Sequence, residues 1–245
     1  MLEKIVISVV VPAYNEEKLI GRCLTSLTQQ DFKQPFEIIV VNNNSTDKTA
    51  EIAKSFGVRL ITEQLQGVVS ARQRGLLAAS GEIVVGADCD CIYPSTHLTN
   101  LYQHFQNPRV VAVGGPAIGE KRPFWAHLIY KFGFGLVALL YRFTGQVLYL
   151  GGFNFAYRRK TFLRLGGYRT YLDFGGDEWE PLARLKKVGK VIYDPLLLMY
   201  VSTRRYRVGF IRWFFVHNFY YYILNFWLAR LFKKTLIHAP AVREK

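Results

Sequence analysis

The sequence predicts an α/β fold of Rossmann-like type, a mostly parallel central sheet with helices on both faces. Two observations carry this. Short β-rich runs alternate with helical patterns through the first half, and the first run, "IVISVVVPAY" at 5–14, is almost continuously apolar. A strand reads that way when both its faces are covered, as in a parallel sheet. Strands alternating with helical segments imply βαβ crossovers.

The elements follow in order. "NEEKLIGRCLTSLTQQ" (15–30) sets Leu19, Ile20, Cys23, Leu24 and Leu27 on one helical stripe. "FEIIVVN" (36–42) reads as a second buried strand. "STDKTAEIAKSFG" (45–57) opens on cap-forming residues and closes on Gly57, as helices do. "VRLITE" (58–63) predicts a strand, "VVSARQRGLLAAS" (68–80) a helix and "EIVVGAD" (82–88) a strand. Ligands of such sheets bind outside the carboxyl ends of the strands. "PAYNE", "NNNSTD" and "GADCD" fall at those ends and should meet in one crevice.

Beyond residue 118 the texture changes. "PFWAHLIYKFGFGLVALLYRF" (123–143) is apolar and aromatic, interrupted by Lys131 and Arg142. "GGFNFAYRRKTFLRLGGY" (151–168) is punctuated by glycine, and "GDEWEPLARLKKVGKVIYDP" (176–195) runs from an acidic helix start into a strand. The chain divides into one domain at 1–205, with halves 1–118 and 119–205, and a basic, aromatic tail at 206–245.

Half of the 245 residues are hydrophobic, which excludes wholesale disorder, and the formal charge of +14 implies an anionic partner. Basic residues concentrate in "RRYR" and "FKK", flanking apolar segments, which suits anionic lipid rather than nucleic acid. The chain opens directly on a strand-like pattern, so secretion by a signal peptide is not expected. Cys23, Cys89 and Cys91 are too few for a disulfide scaffold and wrongly spaced for zinc. They read as small apolar spacers in a reducing compartment, with His97 and His104 as ordinary helix residues.

Asp88 and Asp90 are separated by one residue at a strand end, so strand alternation would point both into the crevice. Paired carboxylates suit Mg²⁺ or Mn²⁺, which take oxygen ligands and leave positions for phosphate oxygens. Alone, such a pair is more often a solvated loop with incidental acids.

The ordered set "VVVPAYNE", "VVNNNSTD", "GVVSARQRGLLAASGEIVVGADCD" and "GGDEWEPLARLKKVGKVIYDP" resembles the family 2 glycosyltransferases of the GT-A fold, over roughly residues 5 to 200. The resemblance implies a metal-dependent transfer of a sugar from a nucleoside-diphosphate sugar. It makes 1–118 the nucleotide half and 119–205 the acceptor half. Pro12, Ala13, Tyr14 and Glu16 would cradle base and ribose, Arg72 would lie near the base, Asp88 near ribose and metal, and Asp90 on the metal. Where the family carries an acidic pair after the second strand, this chain has Asn42 and Asn43; the Asn43 amide oxygen can still accept from a base. The loss of charge leaves uracil and guanine open.

In the family, the second acid of a pair opening a helix serves as base. Here that is Glu178, with Asp177 as the other candidate, and in-line attack would invert the anomeric centre. A lipid phosphate acceptor would need no base. Gly152 and Asn154 match the acceptor-side segment. Trp179 reads as a sugar- or lipid-contacting residue or as core, and Arg204 and Arg205 as diphosphate clamps or a basic membrane-facing loop. The competing functions are nucleic-acid binding and an inactive GT-A-like membrane protein.

The tail at 210–232 is long enough to span a bilayer. A polar stripe at His217, Tyr221 and Asn225, with Asn218 beside it, and the interface-loving Trp213, Tyr220, Tyr222 and Trp227, favour an interfacial helix, with a helix packed wholly on the catalytic domain or a single span as the alternatives. With 123–143 and the headgroup-pairing Lys233 and Lys234, it would hold the crevice against the cytoplasmic leaflet and a lipid-linked or saccharide acceptor.

Overall fold

A computed structural model describes residues 4–120, 123–172, 176–204, 206 and 209–235, the side chains of 217, 218 and 222 excepted. The first half runs β1 (Ile7–Ala13), α1 (Ile20–Thr28), β2 (Phe36–Asn42), α2 (Thr49–Ser55), β3 (Arg59–Thr62), α3 (Val68–Ala78), β4 (Ile83–Gly86), β5 (Cys91–Ile92), α4 (His97–His104), β6 (Val110–Gly114) and β7 (Ala117–Gly119). The second half adds α5 (Phe124–Thr144), a 3₁₀ turn (Gly152–Asn154), β8 (Phe155–Arg158), α6 (Arg159–Arg164), α7 (Trp179–Leu185), β9 (Lys190–Tyr193) and β10 (Met199–Val201). The tail forms α8 (Phe210–Arg212), a π-helical stretch (Trp213–Leu224) and α9 (Asn225–Phe232).

The main sheet has seven strands in the order β3-β2-β1-β4-β8-β6-β9. All neighbours are parallel except β8, which runs antiparallel to both β4 and β6. This is the predicted α/β layer architecture. β1 lies inside the sheet, and its apolar run is buried on both faces, Val9 and Val11 on one and Val10 on the other. Because β8 is reversed, its N-terminal lead-in, the turn Gly152–Asn154, reaches the same sheet edge as the carboxyl ends of β1, β2 and β4.

Predicted element ends overshoot at that edge. β1 stops at Ala13 and α1 starts only at Ile20, because 14–17 is laced to 45–49. Glu16 N–H donates to Thr49 Oγ1 (2.7 Å), Glu17 N–H to Asp47 Oδ2 (3.1 Å) and Thr46 N–H to Asn15 Oδ1 (2.8 Å). Asn15 takes a positive φ of 51°, a conformation Asn tolerates better than most residues. β4 likewise ends at Gly86, so Asp88 and Asp90 stand on a turn rather than a strand. The strand-alternation argument for their shared direction therefore does not apply.

Two devices aim side chains at this edge. A Cβ on Gly75 would lie 2.2 Å from Val10 Cγ1, so only glycine lets α3 lie this close to β1. One helical turn earlier, that approach carries Arg72 beneath the end of β4. A second sheet, β5-β10-β7, pairs the strand directly after Asp90 with the strand directly before Ser202. Ser202 N–H donates to Asp90 O (2.9 Å), which brings Arg204 to Asp90.

The tail is not detached from the domain at residue 205. Phe226 and Ala229 of α9 pack on Leu172 with Trp179 alongside. Trp125 near the start of α5 meets Tyr206, Phe210 and Trp213, with ring centroids 5.3, 5.5 and 5.7 Å away. Outward, α5 and the tail expose Phe132, Phe143, Ile211, Phe215, Trp227 and Leu231. Among the described residues α5 is the one helix long and apolar enough to cross a membrane, with 11% of its apolar window buried. Of the expected polar stripe, Asn225 is buried and Tyr221 half-buried, while the His217 and Asn218 side chains lie outside the described residues.

Candidate active site

Two buried arginines organise the crevice, each shared between two acids. Arg72 donates through Nε to Asp177 Oδ2 (2.8 Å) and through an Nη to Asp88 Oδ1 (2.6 Å). Burial alone would pull its pKa down, but Asp88 and Asp177 outweigh this and raise it, so it stays a cation. Arg204 grips Glu16 with both Nη groups (2.6 and 2.5 Å) and stands 3.4 Å from Asp90 Oδ2. Its pKa is likewise raised, burial opposing and Glu16 and Asp90 prevailing. Thus "PAYNE", "GADCD", the acid pair and "STRR" meet in one place, although Arg72 and Asp177 are 105 residues apart. Arg205 lies outside the described residues.

The acid pair divides its work. Asp177 is bound to Arg72 of α3. Glu178, at the start of α7, accepts from Tyr149 O–H at 2.8 Å and from Gly152 N–H at 3.5 Å through Oε1. Its Oε2 is buried with no partner among the described residues. Burial first, then the neighbouring Asp177, push the Glu178 carboxyl up to about 8. Tyr149 was invisible to sequence reasoning; "QVLYLGGFN" carries no motif, and only the tertiary approach of residues 145–151 to α7 gives it a role.

Other expected contacts fall differently. Asn43 is buried, its amide donating to Glu63 O (2.8 Å) and Leu65 O (2.9 Å), its Oδ1 accepting from Gly67 N–H (2.8 Å). It fastens the loop before α3 rather than presenting an open amide to a base. Asn154 is fully enclosed and donates to Leu197 O (2.8 Å) and Pro116 O (3.2 Å), tying β8 to the segments around β7 and β10. Gly152 serves close packing: a Cβ there would lie 2.6 Å from Asp177 Oδ2. Trp179 meets Phe226 edge-on at 5.5 Å, against the tail. Pro12 and Tyr14 are half-buried on the rim and Ala13 is buried beneath them.

The cysteines are free, buried and protonated, their thiols pushed up by burial and then by neighbouring acidic groups and thiols. Cys23 Sγ donates to Asp88 O (3.2 Å) and Cys89 Sγ to Pro12 O (3.1 Å), pinning the aspartate turn to α1 and β1. His97 is an enclosed neutral core residue, its pKa lowered by burial to about 4.

Among the described residues no three or more His, Cys, Asp or Glu side chains converge on a metal-binding position. The donor set still fits Mg²⁺ or Mn²⁺. Asp88 and Asp90 offer hard carboxylate oxygens, and substrate phosphate oxygens can complete an octahedron. Charge argues the same way: among the described residues Arg72 serves two formal carboxylates, Asp88 and Asp177, an excess negative charge that an anionic diphosphate would meet unless a cation intervenes.

Comparison with known proteins follows the same lines. Residues 8–166 match the family described as Glycosyl transferase family 2. The glycosyltransferase AglE of Haloferax volcanii is 39% identical over 92 residues, 35% of this chain and 30% of that protein. The dolichol-phosphate mannosyltransferase of Pyrococcus furiosus is 28% identical over 134 residues, 51% of this chain and 38% of that one. The structure of the mannosyltransferase PcManGT from Pyrobaculum calidifontis, in complex with GDP-Man and Mn²⁺, superposes with a TM-score of 0.62 at 27% identity, covering 79% of this chain and 56% of that one. The chain therefore spans well under two thirds of the length of each of these relatives.

Proposed function

The chain belongs to glycosyltransferase family 2 and has the GT-A fold, and from that premise we propose that it moves a sugar from a nucleoside-diphosphate sugar to a lipid-linked or saccharide acceptor, with inversion, at the cytoplasmic face of a membrane. The observation that carries the reading is the joining of the buried Arg72 and Asp177 to the half-buried Asp88 in one ion cluster, with Glu178 beside it. An α/β sheet binds ligands at this edge.

Pro12, Ala13 and Tyr14 form the wall for base and ribose, and Asn43 shapes that wall by holding the loop at 63–67. Arg72 fixes Asp88 toward the ribose and Asp177 away from solvent. Asp90 and Asp88 would hold the divalent cation, which when bound neutralises charge on the departing diphosphate. Arg204 is a second cation at the same place, aligned by Glu16, and Arg binds phosphate through a rigid fork. Glu178 Oε2, the oxygen without a partner among the described residues, takes the acceptor proton, and a base with a pKa near the working pH is suited to that task.

Relatives support the donor and acceptor classes. PcManGT was solved with GDP-Man and Mn²⁺, and a Staphylococcus aureus TarS structure with UDP. The Pyrococcus relative is named for a dolichol-phosphate acceptor. The exposed apolar faces of α5 and of 210–232, with Arg212, Arg230, Lys233 and Lys234 on the tail, support docking to an anionic bilayer surface. A panel of UDP- and GDP-sugars, scored by nucleotide release with Mg²⁺ or Mn²⁺, tests the reading. Release from one base class is the expected result, and no release from any donor counts against it.

A further inference from the structure

Glu178 carries a base's proton on one of two chemically equal oxygens, and the fold makes them unequal. Oε1 accepts from the Tyr149 hydroxyl at 2.8 Å and faces Gly152 N–H at 3.5 Å. Oε2 is enclosed and has no partner among the described residues. Tyr149 comes from the segment between α5 and the 3₁₀ turn. Its ring lies 6.0 Å from that of Phe134 on α5, which stacks at 6.1 Å on Tyr130. The hydroxyl is therefore held by packing rather than by a mobile chain.

We propose that Tyr149 is a positioning residue for the base: it occupies Oε1 of Glu178 so that Oε2 alone exchanges the acceptor's proton. The inference rests on Glu178 being that base. In the step it serves, the acceptor oxygen bonds to the anomeric carbon while the bond from that carbon to the diphosphate oxygen breaks. The bonding pair leaves with the nucleoside diphosphate, and the acceptor hydroxyl proton passes to Oε2. A hydroxyl that only donates to Oε1 fixes the carboxylate plane and leaves the second oxygen's lone pairs for the incoming proton.

The surrounding charges are consistent with this role. Burial and Asp177 raise the Glu178 carboxyl, while Tyr149, Gly152 N–H and Arg72 draw it down toward ionisation. Burial and Glu178 raise the Tyr149 phenol well above its ordinary value, with Tyr130 and Asp177 adding to it. Tyr149 consequently stays a donor across the working pH range.

Tyr149→Phe removes one oxygen and keeps the ring against Phe134. Two readouts follow it. One is nucleotide release from UDP-glucose and GDP-mannose against pH; the other is titration of the Glu178 carboxyl by ¹³C NMR in the full chain, which needs no turnover. The expected result is a fall in kcat of about tenfold or more with donor KM unchanged, a part of the roughly 10²- to 10⁴-fold worth of general-base catalysis, because the base itself stays in place. The acid limb and the carboxyl midpoint should both move to higher pH, because the lost hydrogen bond favoured the ionised form. An unchanged midpoint and profile would overturn the positioning role, as would an equal loss at every pH with a raised KM. Glu178→Gln run in parallel separates the two claims. If it turns over normally, the base assignment fails; if it is dead while Tyr149→Phe is normal, only the positioning inference fails.

Discussion

Replacing Glu178 by Gln should stabilise the protein while stopping its chemistry. The carboxyl is enclosed and pushed up to about 8, whereas an unperturbed Glu titrates at 4.5. For a group raised in the folded state, its contribution to stability is full below the unfolded value. It is lost as pH rises through the folded one, because the unfolded chain ionises first. At pH 7 the chain is about 2.5 units above the unfolded value and still below the folded one, which amounts to about 3 kcal/mol at roughly 1.4 kcal/mol per unit. Gln is neutral in both states, has nearly the same shape, and leaves the same buried position without a partner. The variant should therefore gain on that order, or roughly 6–12 °C in Tm at 2–4 °C per kcal/mol for a chain of this size. Thermal unfolding at pH 5, 7 and 9 reads it out. The gap between variant and parent should be small at pH 5 and widen to pH 9, while turnover falls about 10²-fold or more. A gap independent of pH, or a variant less stable than the parent at pH 9, refutes the reasoning.

Gly152→Ala would press a methyl into the Arg72–Asp177 pair, 2.6 Å from Asp177 Oδ2 and 3.0 Å from an Arg72 Nη. It should lower stability by about 1–3 kcal/mol, measured by urea titration, and lower turnover with it. Arg204→Ala leaves Glu16 and Asp90 without their shared cation and should destabilise by roughly 3–5 kcal/mol; the double variant with Glu16→Gln should lose less than the sum. Changing the exposed Ile211, Phe215 and Leu231 to Ser should weaken flotation with anionic vesicles while Tm holds. Unaltered flotation would turn the tail's exposed face toward some other role.

The parallel sheet was legible because its strands declare themselves through burial. β1 is covered on both sides, so its apolar run is continuous, and the helices between strands keep their stripes. The site was legible only as far as motifs at strand ends carry it. "EIVVGAD" predicts a strand as far as residue 88, but the backbone turns after Gly86, and what orients the aspartates is Arg72 from α3 and Arg204 from beyond β10. Neither pairing has local periodicity to announce it. Asn43 and Asn154 have the residue types of ligand contacts, yet their amides satisfy backbone carbonyls of neighbouring loops, a demand set by the tertiary path. Tyr149 gains its role from the same path. The tail's packing on Trp179 was left open by the sequence, since an aromatic helix reads alike whether it meets lipid or protein.

The central claim is that Asp88, Asp90 and Glu178 form one metal-assisted sugar-transfer site. Its most direct measurement is nucleotide release from UDP- and GDP-sugars by the full chain on anionic vesicles, with Mn²⁺ and then with excess chelator. Parent enzyme, Asp90→Ala and Glu178→Gln are compared after each is shown to be folded. The expected result is release by the parent that the chelator abolishes, and release at or near background in both variants. Parent-like release from Asp90→Ala, or release that survives the chelator, would contradict it.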